Sequence, residues 1–177
     1  MVLVLVTGLQ ATGKSTMADV AADALGAPVL AHDWAMSGLR PFRALQRALD
    51  DMDPPGHRAV GWSLLWALAR SQLRRGSSVV LDGVARDPEV ARTRLVAAEE
   101  NAECFVVLST CDDLAVHRSR VEGRDRGIPN WYELDWEHVA RSRASWVAPA
   151  GVDLVLDAGH PSEENGATLR QAMARFG

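Results

Sequence analysis

At 177 residues, 47% of them hydrophobic and 24% charged, the chain is long enough to bury a core without disulfide or metal staples. A formal net charge of −4, with both signs mixed along the chain, argues against a surface that coats nucleic acid. Cys104 and Cys111 have neither metal-ligand nor redox-pair spacing, the five histidines give no zinc pattern, and no apolar run suits a membrane span or signal segment. The expectation is one domain over residues 1–177, cytoplasmic, with no membrane partner; a homodimer is compatible with the sequence.

In chain order, the β-branched apolar run Val2–Thr7 predicts a buried strand, and Ser15–Leu25 a helix closed by Gly26. Further strands are expected at Pro28–His32, Ser78–Asp82, Cys104–Thr110 and Asp153–Asp157. Between the second and third strands, helices are expected over about Ser37–Asp51 and Arg58–Arg75, separated by the breaker Asp53-Pro54-Pro55-Gly56. Asp87-Pro88-Glu89 caps and starts another helix, and Ser162-Glu163-Glu164 starts the last, which runs to about Phe176. Strands alternating with helices predict a layered α/β fold around a parallel sheet. Residues 118–146 differ: helix, then the glycine-flanked arginine cluster Gly123-Arg124-Asp125-Arg126-Gly127, then helix again from about Glu133, the pattern of a mobile lid.

Between the first strand and first helix stands Gly8-Leu9-Gln10-Ala11-Thr12-Gly13-Lys14-Ser15, followed by Thr16: a complete G-x-x-x-x-G-K-S phosphate-binding loop. Lys14 is the only lysine in the chain, against eighteen arginines. It stands where a compact ammonium must reach between the β- and γ-phosphates of a nucleotide. Glycines let the backbone curl, and the helix N-terminus adds positive potential where phosphates sit. The motif in this context predicts nucleoside triphosphate binding.

A triphosphate site needs a divalent cation, and ligands in open parallel sheets lie at the carboxyl ends of the strands. Asp82 ends the apolar run Val79-Val80-Leu81 in the Walker B manner, so Mg²⁺ is expected on Asp82 and the Ser15 hydroxyl. Asp33, after the second strand, either contacts a metal-bound water or accepts a proton from a substrate hydroxyl. Arg124, with Arg120 and Arg126 beside it, is placed to cover the transferring phosphoryl oxygens when the lid closes. Trp62 and Trp66, four apart on one helix face, read as a core stripe.

The phosphate loop, Asp33, Val79-Val80-Leu81-Asp82-Gly83 with Arg86 and Arg92, the pair Arg120-x-x-x-Arg124 and the closing strand together resemble the small P-loop kinases of the AAA-33 type. Chloramphenicol phosphotransferase, polynucleotide 5′-kinase domains and gluconate-kinase-like enzymes are relatives of that group. The resemblance covers nearly the whole chain. It implies a three-layer fold with a five-stranded parallel sheet ordered 2-3-1-4-5, a lid over about 118–146, and transfer of the γ-phosphoryl of ATP, with Mg²⁺, to a small acceptor. It further implies that Asp33 meets the acceptor hydroxyl in a pocket framed by the region after Asp33, the helices before the third strand and the loop after Asp82, to which Trp34, Arg40 and Arg86 belong. Arg120 and Arg124 would embrace the nucleotide phosphates or cover the base, and His160 and Pro161 would lie along adenine, on the same resemblance. Lys14, Asp33 and Arg124 are thus the expected catalytic group. One departure stands in the loop, where Gln10-Ala11-Thr12 replaces the usual small Gly/Ser/Ala filling.

The leading expectation is an ATP-dependent kinase acting on a hydroxyl of a nucleoside, sugar or antibiotic-like natural product. A nucleic-acid 5′-end kinase shares every motif, but the acidic balance and the lack of a basic extension speak against it. A nucleotide-dependent switch module is the reading from another class.

Overall fold

The computed structural model describes residues 1–176 of the chain. Its elements run in the expected order: β1 (Val2–Thr7), α1 (Lys14–Leu25), β2 (Val29–Ala31), α2 (His32–Ser37), α3 (Arg43–Asp50), α4 (Pro54–Leu73) and β3 (Val79–Asp82). Then follow α5 (Asp87–Glu99), β4 (Glu103–Thr110), α6 (Leu114–Glu122), α7 (Trp136–Ser145), β5 (Leu154–Asp157) and α8 (Ser162–Met173), with a 3₁₀ turn at Ala174–Phe176. All four strand pairings are parallel, and the sheet order is β2-β3-β1-β4-β5.

β1 is central and buried throughout, which is why its sequence is continuously apolar. Val2, Val4 and Val6 point into a core closed by Met17, Ala18 and Ala21 of α1 and Leu169 and Met173 of α8. Leu3 and Leu5 point the other way, onto Trp62, Leu65, Ala69 and Leu73 of α4 and Val90, Val96 and Ala97 of α5. The sheet is therefore sandwiched between two helical layers. Trp62 is fully buried and Trp66 stacks on it at 5.8 Å, its indole N–H donating to Thr93 Oγ1 at 3.0 Å, so both tryptophans serve the core face.

Three local expectations shift. The helix expected over about Ser37–Asp51 is two short helices, α2 and α3, parted by turns over residues 38–41 that end at Pro41, which has no N–H to continue a helix. Asp53-Pro54-Pro55-Gly56 is not a breaker lying outside the helices on either side; it starts α4. Asp53 Oδ1 accepts from Gly56 N at 2.7 Å, and the prolines occupy first-turn positions that need no N–H donor. At α5 the capping residue is Arg86, whose backbone N–H donates to Glu89 Oε2 at 2.8 Å, and Asp87 is the first helical residue.

Candidate active site

β1 delivers Gly8 to Ser15 to the carboxyl edge of the sheet, where the loop bends sharply. Gly8 has φ of 146°, and a Cβ there would run into the Ser109 carbonyl at the end of β4. Substituting Gly8 by Ala is therefore expected to destabilise the fold by about 3 kcal/mol and to open the loop, seen as a lower melting temperature with loss of nucleotide binding. An unchanged melt would remove this close approach as the reason for the glycine. The loop's carbonyls face outward onto donors. Leu9 O accepts from Thr12 Oγ1 (2.9 Å) and Lys14 Nζ (3.3 Å), Gln10 O from His117 Nε2 (2.6 Å), and Thr12 O from Ser109 Oγ. Among the described residues the N–H groups of Gln10 to Gly13 have no protein acceptor. With the unshared N–H groups of the first turn of α1, they form an anion cradle at a helix N-terminus. Ala11 takes a left-handed φ of 61°, a conformation that costs a residue with a Cβ about 1 kcal/mol, so the Gln10-Ala11-Thr12 filling is held in the loop under backbone strain.

Lys14, next after the left-handed Gly13, is buried with its ammonium beside this cradle. Burial pushes its pKa down; Asp82 and Asp33 pull it back, and Arg124 and Arg126 add to the depression. One residue on, Ser15 Oγ donates to Asp82 Oδ2 at 2.7 Å, while Asp82 Oδ1 is buried with no partner among the described residues. An orphaned carboxylate oxygen beside a hydroxyl fits a hard divalent cation. No cluster of three or more His, Cys, Asp or Glu side chains suited to a metal occurs among the described residues. Asp19, one turn beyond Ser15, lines the same cleft, and burial with the negative charge of Asp82 raises its pKa.

Across the cleft, the β2 end register (Ala31 opposite Asp82) brings Asp33 near the same edge. His32 packs flat against α4 at Gly61, where any Cβ would collide with its ring, and its Nε2 meets Arg58 O at 3.1 Å. Its Nδ1 lies 3.6 Å from Asp33 Oδ1, and Arg126 Nη1 donates to Oδ2. Burial alone would raise the Asp33 carboxyl, but the His32 and Arg126 contacts, with the charges of Arg126 and Lys14, hold it well below the usual carboxylate range.

Residues between Arg120 and His138 supply a further side of the cleft. Arg120 donates to Ala158 O (2.8 Å), fixing the turn after β5. Arg124 lines the cleft with no ion pair among the described residues, its pKa lowered first by burial and then by Arg126. Arg126 bridges Asp33 and Glu133, with Nε at 3.1 Å from Glu133 Oε1. Below them His117, fully buried, ties α6 to the phosphate loop: its Nδ1 accepts from Arg143 Nη1 (3.1 Å), which sets Nε2 as the donor to Gln10 O. The whole encloses a cleft of about 920 Å³ reaching from Thr16 and His160 to Trp34 and Trp131.

A family model described as AAA domain, AAA_33, matches residues 3–149. The chain belongs to this family. No curated protein matches the sequence. Among solved structures, a gluconokinase from Sinorhizobium meliloti 1021 is similar at 17% identity and a TM-score of 0.69, over 98% of this chain and 91% of that one. The APS kinase of Mycobacterium tuberculosis in complex with AMPPNP and APS follows at 20% identity and 0.62, over 98% and 96%. Shikimate kinase from Aquifex aeolicus is similar at 14% and 0.58, again over 98% and 96%. At these identities the likeness establishes the fold, that of P-loop kinases.

On this family frame, Gln10 to Thr16, Asp33, Trp34, Asp82, Arg120, Arg124 and His160 all line one cleft. Gly8, Leu9 and Pro161 shape it from behind, Pro161 as the cap of α8. Arg40 and Arg86, expected on the acceptor side, do not line it: Arg40 lies over the Trp131 and Tyr132 rings at 5.0 and 4.8 Å, and Arg86 caps α5. The sequence reading missed His117, Arg143, Ser109, Asp19 and the pair Arg58–Glu89, whose partners are distant in the chain. No helix among the described residues is long and apolar enough to cross a membrane.

Proposed function

We propose that the chain is an ATP-dependent kinase that transfers the γ-phosphoryl group to a hydroxyl of a small molecule, with residues 118–146 as its lid. The observation that carries this reading is the single cleft in which the phosphate cradle with Lys14, the Ser15–Asp82 pair and Asp33 line one wall and Arg124 the lid. Bound Mg-ATP supplies the transferable phosphoryl group and a divalent charge that offsets its oxygens. Ser15 and Asp82 hold the cation, Lys14 and the loop N–H groups hold the phosphates, and Arg124 meets the charge that spreads over the transferring group. Asp33 orients the acceptor hydroxyl and takes its proton late; closure of the lid excludes water.

The test is ADP release with Mg-ATP across pools of nucleosides, sugars, natural-product alcohols and short oligonucleotides, with Lys14→Met alongside. Stimulation by a small-molecule pool, with a product heavier by one phosphoryl group, supports the reading. Phosphorylated oligonucleotide ends would replace it by the 5′-end kinase. Tight ATP binding with no phosphorylated acceptor would replace it by the switch module.

His117 adds a pH signature. Burial, then the charges of Arg143, Arg120 and Lys14, lower its pKa from 6.5, and the hydrogen bond to Gln10 only partly opposes them. A histidine with a depressed folded pKa contributes its full stability above the unfolded value near 6.5 and loses it as pH falls through the folded value. Protonated Nδ1 would face Arg143 as a second donor, so ATP affinity is expected to drop on the acid side. His117→Gln, which keeps a donor and an acceptor but does not titrate, should flatten that limb in calorimetric titrations. An identical acid limb in the variant would clear His117 of the effect.

A further inference from the structure

The acceptor end of the cleft is lined by charged groups, yet each already has a partner. Arg126 is held between Asp33 and Glu133, whose carboxylate also accepts from its backbone N–H at 3.2 Å. Arg58 Nε binds Glu89 Oε1 at 3.0 Å, and the other oxygen of that buried carboxylate takes the Arg86 N–H. Burial, with the charges of His32 and Arg40, keeps His57 below its ordinary pKa and so neutral near pH 7. Of the cations lining the cleft without a carboxylate partner among the described residues, Lys14 and Arg124 belong to the phosphate end and Arg120 is engaged by Ala158 O. Arg40, also without a carboxylate among the described residues, does not line the cleft and lies against the Trp131 and Tyr132 rings. An anionic substituent brought to the acceptor end would lose its water without gaining an unmatched counter-ion, and a cationic one would find Asp33, Glu89 and Glu133 all engaged.

What this end offers instead is apolar and flat. Trp34 beside Asp33 is 54% exposed, Trp131 and Tyr132 stack at 5.4 Å with an 18° interplanar angle, and Ile128 and Val84 complete the walls. We infer that the acceptor is an uncharged alcohol with an aromatic or otherwise apolar body, its ring held against Trp34 and the Trp131–Tyr132 pair and its hydroxyl on Asp33. In the transfer the acceptor oxygen bonds to the γ-phosphorus, the bond to the β–γ bridging oxygen breaks to leave ADP, and the hydroxyl proton passes to Asp33 and on to solvent. This inference rests on the kinase reading above.

The experiment follows label from γ-labelled ATP into three acceptor pools at equal concentration: uncharged aromatic alcohols including nucleosides, sugar acids and other hydroxycarboxylates, and aminoglycosides. ATP binding is checked separately by calorimetry. Label in the uncharged pool, at least about tenfold above either charged pool, is the expected result. Label chiefly in a charged pool overturns the inference and leaves the kinase standing. ATP binding with label in no pool overturns the kinase reading and this inference with it. Trp34→Ala, on an exposed side chain, is then expected to raise the KM of the uncharged acceptor about tenfold with KM for ATP near wild type. An unchanged acceptor KM would remove Trp34 from the proposed wall.

Discussion

Asparagine in place of Asp33 is expected to slow phosphoryl transfer by about 10²–10⁴-fold while ATP binding stays near that of the parent. The substitution keeps the shape and an oxygen for Arg126 but removes the charge. Asp33 makes none of the cradle's own hydrogen bonds, so the nucleotide should sit as before. In the structure its carboxyl is held strongly ionised, which makes it a weak base at rest. A loose transition state with little bond formation to the acceptor needs orientation more than early proton removal, and a weak base suffices. Loosening of the Arg126 contact by an arriving hydroxyl would raise the Asp33 pKa at the moment a proton has to be accepted. A carboxylate whose folded pKa is depressed contributes stability above its unfolded value near 3.8, and that contribution disappears as pH falls through the folded value. Activity near pH 6 should therefore not titrate with Asp33. Single-turnover rates and calorimetric ATP titrations of Asp33→Asn separate the two effects. Near-normal transfer would end the role assigned to this residue, whereas a parallel loss of ATP affinity would move Asp33 to the nucleotide side.

How much of this was readable in the sequence depends on how far apart the interacting groups lie. Gly8 to Ser15 is a local motif, and the strand before it and helix after it are fixed by the same few residues, so the cradle was legible. Asp82 was legible because a buried strand announces its own end. The α3–α4 boundary was misread because Asp53-Pro54-Pro55-Gly56 serves equally as a breaker or as a cap with first-turn prolines, and only the Asp53 to Gly56 hydrogen bond decides it. Arg40 and Arg86 were drawn to the acceptor side by proximity in sequence to Asp33 and Asp82. The fold instead gives Arg40 a pair of aromatic faces and Arg86 a helix cap. His117 was invisible for the opposite reason: its partner Gln10 is 107 residues away, and a lone histidine on a helix carries no signal of what lies opposite. The Arg126–Asp33 pair spans 93 residues and is likewise a product of topology. Residue types suggested a chemistry; long-range contacts decide which charges in the cleft are left unpaired.

Lys14→Met is expected to reduce ATP-dependent transfer by about 10²–10³-fold and to weaken ATP binding, yet to leave the empty protein at least as stable as the parent. The loss of transfer follows from position. Lys14 is the one ammonium at the cradle, and without it the phosphates face Asp82 and Asp33 with only backbone donors, Arg124 from across the cleft and the cation to offset them. The retained stability separates function from structure. Burial lowers the Lys14 pKa more than Asp82 and Asp33 restore it, so the folded state holds this proton less tightly than the unfolded chain does. Stability then rises with pH between the folded and unfolded pKa values, which means that the charged form opposes folding at neutral pH. Methionine matches the stem of lysine, removes that charge and gives up one hydrogen bond to Leu9 O. Thermal melts without nucleotide should show no loss. Melts with Mg-ATP should show stabilisation of the parent and little of the variant, since a ligand stabilises only the state that binds it. Arginine at the same place should also fail, because a planar fork cannot reach between phosphates from a stem fitted to a single nitrogen. Full turnover in Lys14→Met would refute the assignment of the cradle as the catalytic phosphate site. A large drop in the unliganded melting temperature would instead make Lys14 a structural residue.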